Sequence, residues 1–169
     1  MTNNKETFDI RIKETSPYLS RLKSAHEIIF VTTAHLLTEY IVNIIIQQKC
    51  GSPEKLTNFQ YSKKLDVLYC MGLLPDYLYE DLRQLNTLRN KFAHNLHPEP
   101  QIFSFKTINW DKQDIIIESK FDKNALCYKG ASSPYKEFLS DMCVSIFFLL
   151  FQHTFWNLEI DISFKELRE

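Results

Sequence analysis

The longest stretch of the sequence without a helix breaker runs from Ser16-Pro17 to Lys49 and is followed by Cys50-Gly51-Ser52-Pro53. Serine is a good helix N-cap and proline suits a first turn, so this pair predicts a helix start, and the glycine predicts the helix end. Between residues 28 and 46 the stretch is apolar on more than one face, which predicts a central helix. Residues at helical spacing along it are Leu19, Leu22, His26, Ile29, Thr33, Leu36, Tyr40 and Ile44.

The composition favours long helices over a turn-rich β-sandwich. The chain has three glycines against 13 phenylalanines and eight tyrosines. At 169 residues, 44% of them hydrophobic, it is long enough to bury one core, so residues 1–169 are predicted to form one domain. Residues 1–16 are interpreted as a polar lead-in with room for one short helix. The aromatic excess also suggests a subunit interface.

Two further helices are predicted before residue 97, which completes a helical region over 17–97. The first covers residues 57–71 and is closed by Gly72. The second runs from Pro75 to about Asn95 and is stopped by the prolines that follow. Inward residues of the first are Phe59, Leu65, Leu68 and Met71, and the core stripe of the second is Leu78, Leu82, Leu85, Leu88 and Phe92.

Residues 99–133 differ in character from the helical region. Gln101–Phe105 and Asp114–Glu118 are interpreted as two short strands around Trp110-Asp111-Lys112, which predicts a β-hairpin. Residues 134–157, from Pro134, are predicted to form the last core helix. The tail alternates apolar residues and fits either a further strand or a frayed helix. The predicted fold is therefore mainly α, a bundle of about four to five helices with a small β-hairpin inserted before the last one.

Charge and cysteine content exclude several classes of protein. A net charge of −1 disfavours broad binding to phosphate backbones, although a local basic patch stays open. The four cysteines, Cys50, Cys70, Cys127 and Cys143, are far apart and form no CxxC pair, so reduced thiols are favoured over disulfides, and no metal site is predicted.

The sequence shows no apolar signal peptide at its N-terminus. The apolar run Glu27–Ile46 contains Glu27, His35 and Glu39, and Cys143–Phe151 is too short to span a bilayer. We therefore expect a cytoplasmic protein that does not insert into membranes.

The candidate functional site is the segment Arg89–His94 at the end of the predicted third helix. Asn90 and His94 are four residues apart and share a helix face, and Arg83 projects in a similar direction. Arg89 leaves the helix at the edge of the apolar stripe, so its guanidinium can reach a cleft. Arginine binds phosphate oxygens in a bidentate manner, and histidine transfers protons near neutral pH. This pair suits phosphate chemistry.

A structural interpretation of the same residues stays open, because arginine and histidine near a helix end also serve as caps and ion-pair partners. Glu39 needs a partner, and Arg89 is a candidate. His26 and His35 are interpreted as core histidines, and His153 as an interface or surface residue. His97 either joins the site or merely follows the helix.

The segment Leu88-Arg89-Asn90-Lys91-Phe92-Ala93-His94 resembles the R-x4-6-H motif of HEPN domains, in the form with asparagine directly after arginine. The helices before it, Phe59 to Gly72 followed by Leu73-Leu74 and Tyr79 to Leu85, are similar to the region preceding this motif in mannitol-repressor-like proteins. The resemblance covers roughly residues 25–97 and includes neither the hairpin region nor the tail.

The resemblance implies a metal-independent endoribonuclease without a cofactor, in which two protomers form one cleft. His94 would act on the ribose 2′-hydroxyl or the leaving oxygen, Arg89 would stabilise charge on the phosphorane, and Asn90 would orient the histidine or the phosphate. Arg83, Lys91 and His97 are candidate RNA-binding residues. The family includes toxins neutralised by an antitoxin, often a minimal nucleotidyltransferase, and non-catalytic regulators or binding modules such as the mannitol-repressor branch, so both classes of function stay open.

Overall fold

The computed structural model describes residues 2–24, 27–94, 104–108, 116–120 and 134–165. The described chain is mainly helical. Its helices are α1 (Thr2–Ser24), α2 (Glu27–Lys49), α3 (Pro53–Thr57), α4 (Tyr61–Cys70), α5 (Asp76–His94) and α6 (Pro134–Gln152), and its strands are β1 (Ser104–Ile108) and β2 (Ile116–Lys120). Helix α2 is central and packs against α1, α3, α4, α5 and α6.

The first helix begins at Thr2, so the predicted helix start at Ser16-Pro17 is wrong. Pro17 lies inside α1, and the long predicted helix is two helices, with α2 beginning at Glu27. Proline removes one backbone hydrogen bond from a helix interior, which other contacts must offset. Those contacts come from Phe8, whose ring lies 5.3 Å from that of Phe151, and from Arg11, which binds Asp161 in the tail.

The buried face of α2 does not coincide with the residues named above for their helical spacing. Two of those residues, Ile29 and Leu36, are 51% and 59% exposed. Because α2 is apolar on several faces, spacing alone does not identify the side that meets the other helices. Its buried apolar residues are Phe30, Val31, Ala34, Leu37, Ile41, Val42, Ile45 and Ile46. The predicted helix end is confirmed, since α2 stops at Lys49.

The helix predicted over residues 57–71 corresponds to α4, which begins later, at Tyr61, and the short helix α3 before it was not among the predictions. Leu65 and Leu68 of α4 are fully buried as predicted, but Phe59 and Met71 are exposed because they lie in the turns at either end of α4. Gly72 has a φ of 70° and ends α4. Its N–H donates to the carbonyl of Tyr69, and that of Leu73 donates to Leu68, which together form a Schellman motif.

Helix α5 carries the predicted core stripe, and this prediction is confirmed. Leu78, Leu82, Leu85, Leu88 and Phe92 are all at most 4% exposed. The predicted spacing therefore identifies the face of α5 that packs into the core.

Strands β1 and β2 pair antiparallel, with Ser104 opposite Lys120 and Ile108 opposite Ile116. They begin later in the chain than the predicted strands, and β1 lies against α5 and α6. The predicted turn around Trp110-Asp111-Lys112 lies outside the described residues, so the hairpin connection stays a prediction.

Helix α6 continues into a π turn, His153–Asn157, before the chain becomes extended. The N–H of Leu158 donates to the carbonyl of His153, and Glu159 then adopts a positive φ of 56°. In the tail, Ile160, Ile162 and Phe164 are buried in alternation. In the part of the chain that the structure describes, residues 158–164 form neither a strand nor a helix, so neither predicted alternative is found, although the apolar residues alternate in burial.

One segment, Ile29–Lys49, is long and apolar enough to cross a membrane by length and composition. Core helices of soluble proteins and signal sequences share this property, and 56% of the apolar window is buried inside the protein. The cytoplasmic location stays a prediction. Cys50, Cys70 and Cys143 are free thiols, and burial raises the pKa of Cys143 to about 12, whereas Cys127 lies outside the described residues.

Candidate functional site

A polar cavity of about 370 Å³ lies between α2, α4 and α5. Its mouth includes Arg89 and Asn90, which are both exposed, and its depth includes the buried His35. The lining residues are His35, Glu39, Gln60, Tyr61, Ser62, Asn86, Arg89 and Asn90. Such a lining offers a cation, a carboxylate, an imidazole and amide groups to one ligand.

His35 is 5% exposed and is held by α5. Its Nε2 lies 3.0 Å from Oδ1 of Asn86, and its Nδ1 lies 4.0 Å from a carboxylate oxygen of Glu39 one turn later on α2. Burial lowers the pKa of His35 below its ordinary value of 6.5; the Asn86 hydrogen bond and Glu39 oppose this shift, and the charge of Arg89 adds to it. The net downward shift of its pKa favours the neutral form of the His35 imidazole.

Tyr61 fixes the opposite wall of the cavity. Its ring lies 4.5 Å from that of His35, its hydroxyl donates to Oγ1 of Thr38, and that hydroxyl donates to the backbone carbonyl of His35. Burial raises the pKa of Tyr61. The tyrosine is thus a neutral hydrogen-bonding group that ties α4 to α2.

Lys64 pairs with Glu39, so the predicted ion pair between Glu39 and Arg89 is wrong for the described residues. The Lys64 ammonium lies 3.3 Å from Glu39 Oε1 and donates to Asn43 Oδ1 at 2.9 Å, although Lys64 is only 3% exposed. The ammonium of Lys64 on α4 therefore forms the ion pair with the Glu39 carboxylate. Arg89 is left facing the cavity, where its guanidinium donates to Oδ1 of Asn90 at 3.1 Å.

The structure brings Arg89 and Asn90 together but separates Arg83 from them. Arg83 donates to Asp66 at 2.8 Å and to the Tyr79 hydroxyl at 2.9 Å, and it does not line the cavity. Arg83 therefore does not line this cavity, and its predicted role in binding a substrate stays a prediction. Its partners on α4 and α5 hold it at the outer surface of that helix pair.

Of the remaining predicted residues, Lys91 has a described side chain, whereas His94, His97 and His26 do not. Lys91 is half-buried and does not line the cavity. His94 is the last residue of α5, one turn after Asn90, but its side chain lies outside the described residues. His97 and His26 lie outside them as well. The predicted convergence of Arg89 and His94 on one cleft therefore stays a prediction.

His153 has a structural role, which corrects its interpretation as an interface or surface residue. It is half-buried, and its Nε2 donates to the backbone carbonyl of Leu73 at 2.8 Å. Burial lowers its pKa, and the hydrogen bond to Leu73 opposes that shift. The contact joins the end of α6 to the loop after α4.

Sequence reasoning missed the depth of the cavity. His35 was interpreted as a core residue, and it is buried and hydrogen-bonded, yet it also faces the space beside Arg89. Asn86, which binds His35, precedes Asn90 by one helical turn on the polar face of α5. That spacing is the signal that could have linked Asn86 to Asn90.

A second cavity of about 400 Å³ is lined by Tyr40, Asn43, Ile44, Gln47, Gln48, Asp161 and Ser163. The one ionised group in this lining, Asp161, already binds Arg11, so the first cavity is the better candidate for chemistry. Within the described ranges, no group of three or more His, Cys, Asp or Glu side chains is arranged to hold a metal ion.

Comparison of the chain with models of known protein families, with curated proteins and with solved structures finds no match.

Proposed function

We propose that the chain is a metal-independent endoribonuclease of the HEPN type, with its active site in the cavity between α2, α4 and α5. The observation that supports this proposal is the position of Arg89 and Asn90, two residues of the R-x4-6-H motif, at the mouth of a cavity that also contains a neutral histidine. The proposal includes a HEPN-like bundle with a hairpin between α5 and α6, a homodimer, and a cytoplasmic location.

In this proposal Arg89 binds the scissile phosphate through its planar guanidinium and stabilises charge on the phosphorane. Asn90 accepts a hydrogen bond from Arg89 and so orients it. His94 transfers a proton to or from the ribose, and the 2′-hydroxyl is the nucleophile. The products carry a 2′,3′-cyclic phosphate and a 5′-hydroxyl, and the substrate must be RNA because DNA has no 2′-hydroxyl.

A second candidate is a non-catalytic regulator or protein-binding module similar to the mannitol-repressor family. The net charge of −1 favours it, because a protein that holds RNA mainly by its phosphates usually carries a basic excess. An enzyme with this charge would hold RNA through the local site. If the ribonuclease is a toxin or defence effector, its partner would be an antitoxin such as a minimal nucleotidyltransferase.

The test is cleavage of total cellular RNA by the purified protein in the presence of a chelator, with analysis of the fragment ends. We expect fragments ending in a cyclic phosphate. Arg89→Ala and His94→Ala should each lower the rate by roughly 10²- to 10⁴-fold. Arg83→Ala is the matched control, since it removes an arginine from the same helix that lies outside the cavity, and it should keep most of the activity.

Each variant must also be folded, which circular dichroism and thermal unfolding will show. No cleavage by wild-type protein at any concentration would contradict the ribonuclease and favour the non-catalytic regulator or binding module. An equal loss in Arg83→Ala and Arg89→Ala would argue against the cavity as the active site.

A further inference from the structure

His35 is a buried histidine that the R-x4-6-H motif does not include. It lies on α2, more than 50 residues before Arg89 in sequence, yet both side chains line the same cavity. The ring thus lies in a polar space beside Arg89, the residue proposed above to bind the phosphate. Its position therefore raises the question of what the ring could do there.

The hydrogen bond to Asn86 fixes the proton on the ring. An amide oxygen can only accept a hydrogen bond, so with Oδ1 of Asn86 3.0 Å from Nε2, that nitrogen carries the proton. Nδ1 then has a free lone pair. A neutral imidazole with a free nitrogen beside a cavity is the form that a general base requires.

The charges around the ring suit proton uptake during a reaction. From α2, the Glu39 carboxylate lies 4.0 Å from Nδ1 and would stabilise an imidazolium formed there. From α4, Lys64 pairs with the other oxygen of Glu39, and Tyr61 stacks at an angle on the ring. Burial chiefly, and to a smaller extent the charge of Arg89 on α5, lower the pKa of the ring and favour its neutral form.

We propose that His35 is the general base of the reaction and that Asn86 is the residue that positions it. This inference rests on the proposed function. Nδ1 of His35 takes the proton of the ribose 2′-hydroxyl, the 2′-oxygen forms a bond to phosphorus, and the bond from phosphorus to the 5′-oxygen breaks. The 5′-oxygen leaves with a proton from His94. Cleavage of RNA requires these two proton transfers, and two histidines of one chain supply them.

The test is the pH dependence of kcat/KM for RNA cleavage in wild-type protein, His35→Gln and the matched control His153→Gln. Glutamine can keep a hydrogen bond to Asn86 but has no titrating lone pair. We expect the wild-type rate to fall at acidic pH as His35 becomes protonated, below the ordinary histidine range. His35→Gln should lose roughly 10²- to 10⁴-fold in rate and should lose this acidic limb, whereas His153→Gln should keep both.

If His35→Gln does not fold, Asn86→Asp takes its place in the test. A carboxylate on Nε2 favours the imidazolium, so the acidic limb should move to higher pH. A merely structural histidine would leave the limb where it is. Absence of cleavage by wild-type protein would overturn the proposed function and this inference together. Wild-type cleavage with a full rate in His35→Gln, or with an unmoved limb in Asn86→Asp, would overturn only the role of His35.

Discussion

Lys64 is a charged residue placed almost entirely inside the protein, and its partners explain how it is tolerated there. A buried ammonium needs a counter-charge and hydrogen bonds, which Glu39 and Asn43 supply. The two members of the ion pair differ in exposure, since the Lys64 side chain is 4% exposed and that of Glu39 is 30% exposed. Removing one or the other should therefore have unequal effects.

We predict that Glu39→Leu lowers the free energy of unfolding more than Lys64→Met does. The first change leaves a buried ammonium without its counter-charge, at a cost of about 3 kcal/mol. The second leaves a carboxylate that water can reach, at a cost of about 1 kcal/mol. Urea denaturation at pH 7 measures both values. Equal losses would mean that water reaches Lys64 as readily as Glu39.

At the scale of elements, α1 contains a proline that its own helix geometry does not favour. We predict that Pro17→Ala raises the free energy of unfolding by between about 1 and 3 kcal/mol, because it restores an N–H that can bond to the carbonyl of Lys13. Thermal unfolding measures the change. Ser16→Ala, at the adjacent exposed position, should stay within about 0.5 kcal/mol. Destabilisation by Pro17→Ala would show that contacts of the proline ring outweigh the lost hydrogen bond.

The contact between α1 and the tail should depend on pH. The hydrogen bond from Arg11 holds the pKa of Asp161 below its ordinary value of 3.8. A carboxyl with a lowered folded-state pKa stabilises the fold above its unfolded pKa, and this contribution is lost as the pH falls through the folded pKa. Asp161→Asn should therefore cost less than about 1 kcal/mol at pH 7, since the Asp161 side chain is half exposed. The difference from wild type should shrink below about pH 4 in urea denaturation, and a constant difference would contradict the ion pair.

The elements with clear boundary signals could be predicted from the sequence, and the others could not. Helix α5 is amphipathic, so its apolar spacing identified its buried face, and Gly72 marked the end of α4. No glycine or proline lies between the end of α1 at Ser24 and the start of α2 at Glu27 to mark a boundary in the sequence. Helix α1 runs through Pro17 because of distant contacts made by Phe8 and Arg11, which no local pattern contains.

The same distinction applies to the candidate site. Arg89 and Asn90 were identifiable because they lie in one short segment and one helix. His35 could not be identified in this way, because α2 is apolar on several faces. In such a helix the sequence does not distinguish a histidine that lines a cavity from one that is only packed in the core. The environment of His35 comes from Asn86 and Tyr61, which belong to other helices and approach it only in the folded chain.

At the scale of the whole molecule, we predict that the protein is a homodimer. The aromatic and apolar content exceeds the needs of a small bundle, and the described surface retains large exposed apolar side chains such as Leu36 and Trp156. Sedimentation at tens of micromolar, roughly where weak dimers separate, should show two copies. The specific RNase activity should also fall on dilution. A strict monomer with full activity would contradict the dimer.

The number of residues in the π turn His153–Asn157 decides which side chains of the tail face the core. The wider closure of this turn adds a residue relative to an α-helical turn, and the alternation of the tail starts from there. Deleting one residue from this turn would exchange the two sides of the tail, since neighbouring side chains of an extended segment point in opposite directions. Ile160, Ile162 and Phe164 would then face water, and Asp161 would face the core. A single deletion in this turn would therefore disturb the core at positions beyond the deletion itself, in addition to removing contacts of the buried Thr154 and Phe155.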